Sequence, residues 1–516
     1  MKTLLFRLCL PVCIFAASCS SPQKLLTSDN GKISVNFLQV NDVYEIAPIE
    51  GGKTGGMARV ATLKKDLLTA NPNTLLIMAG DFLSPSVYNS LIYEGKRIRG
   101  RQMVEAMDAA GMDIAVFGNH EFDISETELQ SRINESRFKW ISSNSFHQTT
   151  TGVVPFIKTN TAGAVAFPET FIWTVRDADG TVAKIGFIGI NIPFNKAAYV
   201  TYTDPLITAE KLYNQLKDSC DAVVAITHQL VQDDILLAQK LPGLAVILGG
   251  HEHDMRYQKV GDVIITKAHA NARSAYVIQL NLDKRKAQKK VTATLKNIDA
   301  SIMPDSATDV VVKKWSDIAE KNYASIGFDA KKIVLQKGEN LEARESVIRS
   351  KPTNFSKLIV NAMEQAAPTA DVAIINSGSI RLDDILQAPV TQYDIIRSLP
   401  FGGGIIEIDI TGKLLKEVLE AGRKNTGIGG FLHYSATVFY DAINAQWTYK
   451  KIPVENDSIY KVALTDFLLT GGEANLGFLT KLNPGVIKVY PVATSLSDPR
   501  SDIRLAIISY MEKMNN

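Results

Sequence analysis

Short apolar runs that stop at a polar side chain recur through the first half of the chain. Five runs have the length and composition of buried strands, and each ends next to an oxygen- or nitrogen-bearing residue: NFLQV before Asp42, LLIMAG before Asp81, IAVFG before Asn119, AVVAIT before His228 and LAVILGG before His251. Helical spacing of apolar residues predicts a helix near residues 56–69 and another that begins at Asp204-Pro205. Strands and helices mixed in this way over residues 32–300 predict a layered α/β sandwich.

The remainder of the chain predicts a second, smaller α/β domain over residues 341–516. Its cues are the strand-like VAIIN, a helix after Thr411-Gly412 and the run YKVALTDFL. Between the two domains, a charged helical pattern follows Met303-Pro304-Asp305, and residues 301–340 are interpreted as a connector. A chain of 516 residues is long enough to bury two sizeable cores.

The amino end has the pattern of an export signal. Lys2 and Arg7 flank an apolar stretch that leads into Ala16-Ala17-Ser18-Cys19. Small residues before a cysteine indicate a bacterial lipoprotein signal, so residues 1–19 are expected to be a signal peptide with Cys19 lipidated, and polar residues 20–31 a tether. Ordinary secretion followed by cleavage is the alternative. Either way, the chain is expected to be exported, and a lipid on Cys19 would anchor it to the cell envelope.

Charge and cysteine content narrow the possible partners. The chain has 56 Lys and Arg against 54 Asp and Glu, and loss of the signal leaves the two balanced, which gives no reason to expect nucleic-acid binding. The basic run over residues 284–290 lies between two strand-like stretches and is interpreted as a solvated hairpin turn. Of the four cysteines, only Cys220 lies beyond the predicted signal and lipidation site, so no disulfide is expected.

The polar residues at the strand ends form a candidate metal site, because that edge of an α/β sheet is where active sites assemble. Taken alone, Asp42 would more often be a capping aspartate, and His228 a hydrogen-bonded histidine of the core. The strings Gly118-Asn119-His120-Glu121 and Gly250-His251-Glu252-His253 are more specific, since His-x-His brings two imidazoles to one site. Carboxylate, imidazole and amide ligands together predict two divalent or trivalent ions that share a bridging carboxylate, a centre suited to phosphoester hydrolysis.

These strings resemble the motifs of calcineurin-like metallophosphoesterases, specifically the bacterial 5′-nucleotidase and UDP-sugar hydrolase family. The family signature Gly-Asn-His-Glu-Phe-Asp stands here as residues 118–123. The resemblance covers nearly the whole mature chain and implies two metal ions (Zn, Mn or Fe) in the first domain and a nucleotide in the second. It implies a catalytic His120 oriented by Asp123. The metal ligands that it implies are Asp81 as the bridge, Asp42 and His253 at one ion, and Asn119, His228 and His251 at the other.

One position departs from the family pattern. The family's Asn-Asp-x-His stands here as Asn41-Asp42-Val43-Tyr44. Tyr44 either binds an unusual metal such as ferric iron, or lines the pocket beside the ligands, or marks a weak or empty metal site. A role as ligand or near-ligand is favoured, and Tyr44 is therefore included in the predicted metal set.

The second domain carries the residues that the resemblance assigns to the substrate. The string over residues 376–381 resembles Asn-Gly-Gly-Gly-x-Arg, and Leu399-Pro400-Phe401-Gly402-Gly403 resembles the family's Pro-Phe-Gly turn. Taken alone, each string would indicate an ordinary turn, and a single phenylalanine would usually belong to the hydrophobic core. The predicted substrate-binding residues are Asn376, Arg381, Arg349 (by a looser match), the base-stacking Phe401 and Phe467, and Glu473, which stands in place of an aspartate.

The predicted function is therefore removal of phosphate from nucleoside 5′-monophosphates or related nucleotides by attack of a metal-activated hydroxide on phosphorus. A cyclic-nucleotide or nucleotide-sugar phosphodiesterase is the alternative within enzymes. A non-catalytic nucleotide-binding lipoprotein, with a metal site decayed through Tyr44, is the alternative from another class. The retention of His120, Asp123 and every other ligand favours the enzyme. Metals in one domain and stacking groups in the other imply an interface that opens and closes.

Overall fold

The computed structural model describes residues 29–161, 163–195, 197–382 and 384–515. The predicted signal peptide, the lipidation site Cys19 and most of the predicted tether lie outside these residues, so they stay predictions. No helix among the described residues is long and apolar enough to cross a membrane. Cys220 is a free thiol.

The first domain is built from two sheets and their covering helices. Its strands are β1 (Lys32–Val40), β2 (Thr74–Ala79), β3 (Ile92–Tyr93), β4 (Lys96–Arg97), β5 (Ile114–Val116), β6 (Lys139–Ile141), β7 (Ser145–Thr149), β8 (Gly152–Val154), β9 (Ile157–Asn160), β10 (Gly163–Ala166), β11 (Thr170–Arg176), β12 (Val182–Asn191), β13 (Val200–Tyr202), β14 (Ala222–His228), β15 (Val246–Gly250), β16 (Arg256–Val260), β17 (Val263–Lys267), β18 (Ser274–Asp283) and β19 (Gln288–Asn297). Its helices are α1 (Met57–Ala70), α2 (Arg101–Ala109), α3 (Glu126–Glu135), α4 (Pro205–Leu216) and α5 (Val231–Lys240), with a 3₁₀ turn at His120–Asp123.

Both main sheets have six strands, in the orders β19-β18-β1-β2-β5-β6 and β11-β12-β14-β15-β17-β16. Four neighbouring strands of each sheet are parallel: β1, β2, β5 and β6 in one sheet, and β12, β14, β15 and β17 in the other. The five apolar runs are β1, β2, β5, β14 and β15, as predicted, and the basic run lies at the β18–β19 hairpin. The carboxyl ends of the five strands therefore lie at one edge of the domain.

The layers of the first domain follow from the buried faces of these strands. One apolar cluster, which includes Val35, Phe37, Phe187 and Val224, lies between the two sheets. A second cluster covers the outer face of the β12–β17 sheet under α4 and α5. A third covers the outer face of the β1–β6 sheet under α1 and α2. The predicted α/β sandwich is confirmed, with a helical layer outside each sheet.

The segment interpreted as a connector contains helix α6 (Ser306–Ser325), as its charged helical pattern predicted, and the Asp305 side chain caps this helix. This helix packs against α1 and α2 and buries Trp315 completely. The same apolar cluster continues through Tyr323 to Phe355 and Met511 of the second domain. The connector is thus a packed element that joins both cores.

The second domain has its own sheet, in the order β26-β22-β30-β25-β31, with helices on both faces. Its strands are β20 (Ile333–Leu335), β21 (Leu341–Glu342), β22 (Val372–Asn376), β23 (Ile385–Leu386), β24 (Val390–Thr391), β25 (Ile405–Thr411), β26 (Leu432–Tyr434), β27 (Val438–Asp441), β28 (Gln446–Tyr449), β29 (Ile452–Pro453), β30 (Ile459–Thr465) and β31 (Val486–Val489). Its helices are α7 (Glu345–Ile348), α8 (Asn354–Ala366), α9 (Gln392–Ser398), α10 (Gly412–Lys424) and α11 (Ile503–Met514), with 3₁₀ turns at Ser377–Ser379 and Pro499–Ser501. Because β20 pairs with β24, strand pairing in this domain begins before residue 341.

Candidate metal centre and substrate cleft

Three side chains from different strand ends meet in a fully buried cluster. Asp42 follows β1, Asp81 follows β2 and His228 ends β14, and their ligand atoms all lie within 4.8 Å of one another. His228 Nε2 lies 3.1 Å from Asp81 Oδ2 and 3.9 Å from Asp42 Oδ1. Both aspartates have positive φ angles, 53° and 55°. Both carboxylates thus point into the cluster from a backbone conformation that is unfavourable for residues other than glycine.

The donor set in this cluster fits divalent metal ions. His228 Nδ1 lies 2.8 Å from the carbonyl oxygen of Ala79, which can only accept, so Nδ1 donates to it and Nε2 is turned toward the carboxylates, where a bound ion would replace its proton. Asp42 Oδ1 and Asn119 Oδ1 are buried and have no hydrogen-bond partner in the described structure. Buried polar atoms are rarely left in this condition unless an ion or water satisfies them. These atoms match the acceptors that the sequence predicted as ligands.

The charges of the clustered side chains shift one another's pKa values. Burial lowers the pKa of His228, but the carboxylates of Asp81 and Asp42 outweigh it and raise the pKa to about 9. Burial raises the pKa of Asp81, but His228 and His120 outweigh it, and the net shift is downward. Both carboxylates therefore stay ionised at neutral pH, as cation ligands must.

His251 and His253 approach the same cluster from the loop after β15. The His251 backbone N–H donates to Asp42 Oδ2 at 3.0 Å, and its ring lies 5.4 Å from that of His228. His253 Nε2 lies 3.5 Å from Asp42 Oδ1. Burial, followed by the nearby His228, lowers the pKa of His251 to about 3, so its imidazole is neutral and able to bind a cation.

Two glycines allow the strand ends to approach this closely. A Cβ on Gly118 would lie 2.1 Å from Asp81 Oδ1, and one on Gly250 would lie 2.3 Å from the carbonyl oxygen of Ala79. Both distances are far below van der Waals contact. Any side chain at either position would force the ligand-bearing loops apart.

Tyr44, the departure from the family motif, lies directly at the cluster. Its hydroxyl is 3.2 Å from Asp81 Oδ2 and 3.0 Å from His253 Nε2. Burial, with the adjacent Asp81 and Asp42 carboxylates, raises the pKa of Tyr44 well above its usual value. The phenol is therefore neutral in this arrangement and bridges two predicted ligands through hydrogen bonds.

His120 and Asp123 form a dyad beside the cluster. His120 Nδ1 lies 2.6 Å from Asp123 Oδ2, and the His120 backbone N–H donates to Asp81 Oδ1 at 2.8 Å. Burial lowers the pKa of His120, but Asp123 and Asp81 outweigh it, and the net shift is upward. The dyad thus presents Nε2 as a potential proton donor.

The cluster and the dyad open into a cleft of about 780 Å³ between the two domains. From the second domain, Arg349, Arg381 and Phe401 line this cleft. The Arg381 guanidinium lies 3.3 Å from His120 Nε2, and the Phe401 side chain is 62% exposed. The structure therefore brings three of the six predicted substrate residues to the same opening as the predicted metal ligands.

The other three predicted substrate residues are not among those lining this cleft. Asn376 and Glu473 contact each other, since the Asn376 amide donates to the Glu473 carboxylate. Phe467 is 44% exposed in a neighbouring turn. A larger groove of about 920 Å³ lies at the opposite end of β1, near Lys32 and Asp283, and contains none of the predicted site residues.

Two family models match this chain, one over each domain. The family model described as calcineurin-like phosphoesterase matches residues 35–255, and that of the 5′-nucleotidase C-terminal domain matches residues 333–480. The chain belongs to the 5′-nucleotidase family of calcineurin-like phosphoesterases. It is a metal-dependent phosphoesterase, so the interpretation as an enzyme is confirmed.

Known relatives agree with this membership at low identity. A 5′-nucleotidase of Homo sapiens is 24% identical over 81% of this chain and 78% of its own length. The trifunctional nucleotide phosphoesterase protein YfkN of Bacillus subtilis is 24% identical over 81% of this chain, which spans 31% of that longer protein. The solved structure of a 5′-nucleotidase precursor from Thermus thermophilus has a TM-score of 0.68 and 20% identity, and covers 93% of this chain and 97% of its own. That likeness shows the same two-domain fold.

Glu121 of this 5′-nucleotidase relative was not predicted as a functional residue, and the structure places it beneath the candidate metal centre. Its buried carboxylate accepts four backbone hydrogen bonds: from Asp81, Phe82 and Leu83 after β2, and from Gly118 after β5. Glu121 thus fixes the two loops that carry Asp81, Asn119 and His120. Glu121 is part of the motif at residues 118–123, but the motif did not show which groups the carboxylate binds.

Glu121→Gln is expected to lower the free energy of unfolding of the metal-free protein by about 2 to 4 kcal/mol, because the amide leaves buried N–H groups without an acceptor. The measurement is urea unfolding at pH 8, since burial raises the pKa of Glu121 to about 7 and the carboxylate is ionised above it. The surface variant Glu135→Gln, which removes an ion pair with Arg132, should cost about 0.5 kcal/mol. Equal effects of the two changes would contradict this role of Glu121.

Asn195 was also missed. Its amide donates to Asp123 Oδ1 at 2.8 Å and to the carbonyl oxygen of Asn119 at 3.2 Å. Because Asp123 Oδ2 faces His120, this contact holds the carboxylate in the orientation that the dyad needs. A loop asparagine carries no distinctive sequence signal, so only the folded arrangement shows this contact.

Proposed function

We propose that this phosphoesterase uses two metal ions to release phosphate from nucleoside 5′-monophosphates or related nucleotides in the interdomain cleft. The observation that carries the proposal is the opening shared by the two domains. The buried metal-binding set and the His120–Asp123 dyad open into the same cleft as Arg349, Arg381 and Phe401. Metal chemistry, cations for a phosphate and an aromatic surface for a base are thus adjacent.

The ions would be held by the residues predicted as ligands: Asp42, Asp81, Asn119, His228, His251 and His253. When bound, divalent ions supply Lewis-acid activation of a phosphoryl group and of water. Tyr44 would contribute hydrogen bonds to Asp81 and His253, and these contacts support a role beside the ligands. Zinc, manganese and iron all accept this donor set.

His120 would act on the leaving group. Asp123 binds Nδ1, so Nε2 faces the cleft with a proton that can pass to the leaving oxygen. The upward shift of its pKa keeps the imidazole protonated to higher pH than an ordinary histidine. Arg381, 3.3 Å from Nε2, can contact the same phosphate group, because a phosphoryl oxygen between them would reach both donors.

The second domain would select the rest of the substrate. Exposed Phe401 offers a stacking surface at the cleft, and stacking tolerates different bases because every base has a π-face. The contacting pair Asn376 and Glu473 would bind the sugar or the edge of the base. Phe467, from its neighbouring turn, would stack on the same bound base. This part of the proposal rests on the family resemblance, together with the exposure of both phenylalanines.

Phosphate release from a panel of nucleotides tests the proposal. The purified protein is stripped of metal, then titrated separately with zinc, manganese and iron(II), and assayed on monophosphates, cyclic nucleotides and nucleotide sugars. Release from 5′-monophosphates that depends on an added ion is the expected result. Release from diesters alone would favour the phosphodiesterase alternative, and no release with any ion would contradict the proposal.

Phe401→Ala should lower kcat/KM for a nucleoside monophosphate by about 5- to 100-fold, the loss expected from removing one base-stacking contact. The same change should leave hydrolysis of a small phosphate ester without a base, such as phenyl phosphate, near the wild-type rate. Phe439→Ala is the matched control, since Phe439 is an exposed phenylalanine of the same domain that is not among the residues lining the cleft. A parallel loss on both substrates would contradict a stacking role.

We also propose that the enzyme acts outside the cytoplasm, anchored by a lipid on Cys19. The support is the sequence pattern of residues 1–19. Mass spectrometry of the amino-terminal peptide from the native host tests the anchor. An acylated Cys19 at the amino terminus is expected, and an unmodified amino terminus after cleavage would favour ordinary secretion.

A further inference from the structure

A lysine lies fully buried behind the metal centre. Lys267 ends β17, and its side chain has no exposed surface. Its ammonium forms an ion pair with Asp234 at 2.9 Å, where the carboxylate is also fully buried, and a second with Glu252 at 2.5 Å. A buried lysine retained with two carboxylate partners is uncommon, because desolvation of the charges offsets much of their attraction.

The remaining contacts of Lys267 are with the backbone of the two histidine-bearing loops. Its ammonium donates to the carbonyl oxygen of Gln229 at 2.5 Å and to that of Gly250 at 2.8 Å. Gln229 directly follows His228, and Gly250 directly precedes His251. The third donated hydrogen bond goes to Glu252, which lies between His251 and His253. Three of these four acceptors within 2.9 Å of the ammonium thus belong to residues adjacent in sequence to predicted metal ligands.

The acidic partners extend this connection between the loops. Glu252 Oε1 accepts from the Val231 backbone N–H at 2.5 Å, so the carboxylate of the His251 loop also binds the loop after His228. Asp234 Oδ1 accepts from the Gln229 amide at 3.1 Å. The four side chains Lys267, Glu252, Asp234 and Gln229 therefore form one network that joins the two loops.

We propose that Lys267 is a positioning residue for the metal centre: its network holds the His228 loop and the His251-x-His253 loop at the separation that metal binding requires. This inference rests on the proposed dimetal function. Its physical basis is that a charged group with directional hydrogen bonds fixes backbone positions more tightly than apolar packing does. Groups that orient the ligands of a metal in this way commonly affect its affinity about 10- to 100-fold.

Lys267→Met keeps the length and volume of the side chain and removes its charge and donors. It is expected to weaken binding of Zn²⁺ or Mn²⁺ to the stripped protein by about 10- to 100-fold, measured by isothermal titration calorimetry. The visible absorption of bound Co²⁺ should also change, because the imidazoles shift relative to the ion. Thermal unfolding of the metal-free protein is measured alongside, since a buried unpaired Asp234 also destabilises the fold.

Lys64→Met is the matched control. Lys64 is a nearly buried lysine of α1 in the same domain, and its ammonium likewise binds a backbone carbonyl, that of Gly111, and a carboxylate, Asp113 at 2.7 Å. None of these residues adjoins a predicted metal ligand. Lys64→Met should therefore lower thermal stability and leave metal affinity and the Co²⁺ spectrum unchanged.

A second variant keeps the test informative if Lys267→Met does not fold. Glu252→Gln removes one partner at the edge of the network, where the side chain is 17% exposed, and should weaken metal binding in the same direction but by less. Wild-type affinity and an unchanged Co²⁺ spectrum in a folded Lys267→Met or Glu252→Gln protein would overturn this inference alone. The inference would also be overturned if Lys64→Met and Lys267→Met both lost metal affinity in proportion to their loss of thermal stability. Absence of metal binding by the wild type would contradict the dimetal function itself.

Discussion

Asp81→Asn is expected to lower kcat for phosphate release by about a thousandfold or more, equivalent to about 4 kcal/mol of transition-state stabilisation, and to reduce the bound metal. Asp81 is the carboxylate nearest to His228 Nε2, at 3.1 Å, and its Oδ1 also accepts from the His120 backbone. Asparagine has nearly the same shape but no charge, so the fold is expected to be retained while the proposed metal site loses an anionic ligand. Metal content by mass spectrometry and phosphate release are measured on the same samples.

Asp299→Asn provides the control for loss of a carboxylate from the same domain. Its carboxylate accepts hydrogen bonds from Ser301 in a turn and belongs to no predicted site. This variant should keep wild-type metal content and rate. Full metal content and near wild-type turnover in Asp81→Asn would show that Asp81 does not bridge the ions.

His120→Gln is expected to lower kcat by about 10²- to 10⁴-fold, the usual contribution of a general acid, without loss of metal. The reason is geometric: Nδ1 is bound to Asp123, and Nε2 faces the cleft beside Arg381. Glutamine can donate a hydrogen bond to the leaving oxygen but cannot protonate it. Turnover, metal content and the pH profile of kcat are the measurements.

The pH profile separates this role from a structural one. As a general acid, His120 must be protonated, so wild-type kcat falls as pH rises through its pKa, which Asp123 and Asp81 raise above the usual range of histidine against the effect of burial. That alkaline limb should be absent in His120→Gln. A variant that loses metal, or that keeps the alkaline limb, would show that His120 acts through the metal centre or that another group supplies the proton.

Much of the fold could be predicted from the sequence because the strands alternate with helices and end at polar residues. The runs before Asp42, Asp81 and His228 are parallel strands whose carboxyl ends share one edge, so residues that are distant in sequence had to converge there. The helix after Asp305 and the hairpin at residues 284–290 also lie where the local sequence pattern predicted them. Local chemistry was sufficient for these features.

Other features depend on contacts between distant segments. The connector helix packs into the cores of both domains because Trp315 and Tyr323 find apolar partners there, which its charged sequence did not indicate. The placement of Asn376, Phe467 and Glu473 away from the residues lining the cleft depends on how the second domain docks against the first. Motif spacing carries no information about such docking.

The sequence by itself determined the family, the α/β sandwich and the donor types collected at the strand ends, since these follow from strand periodicity and from short contiguous motifs. Only the tertiary structure decided what holds those donors in place. Tyr44 bridges Asp81 and His253, Glu121 gathers the N–H groups of two loops, and Lys267 joins the two histidine loops. Each of these side chains acts through groups far away in sequence, and their meeting depends on the packing of both sheets.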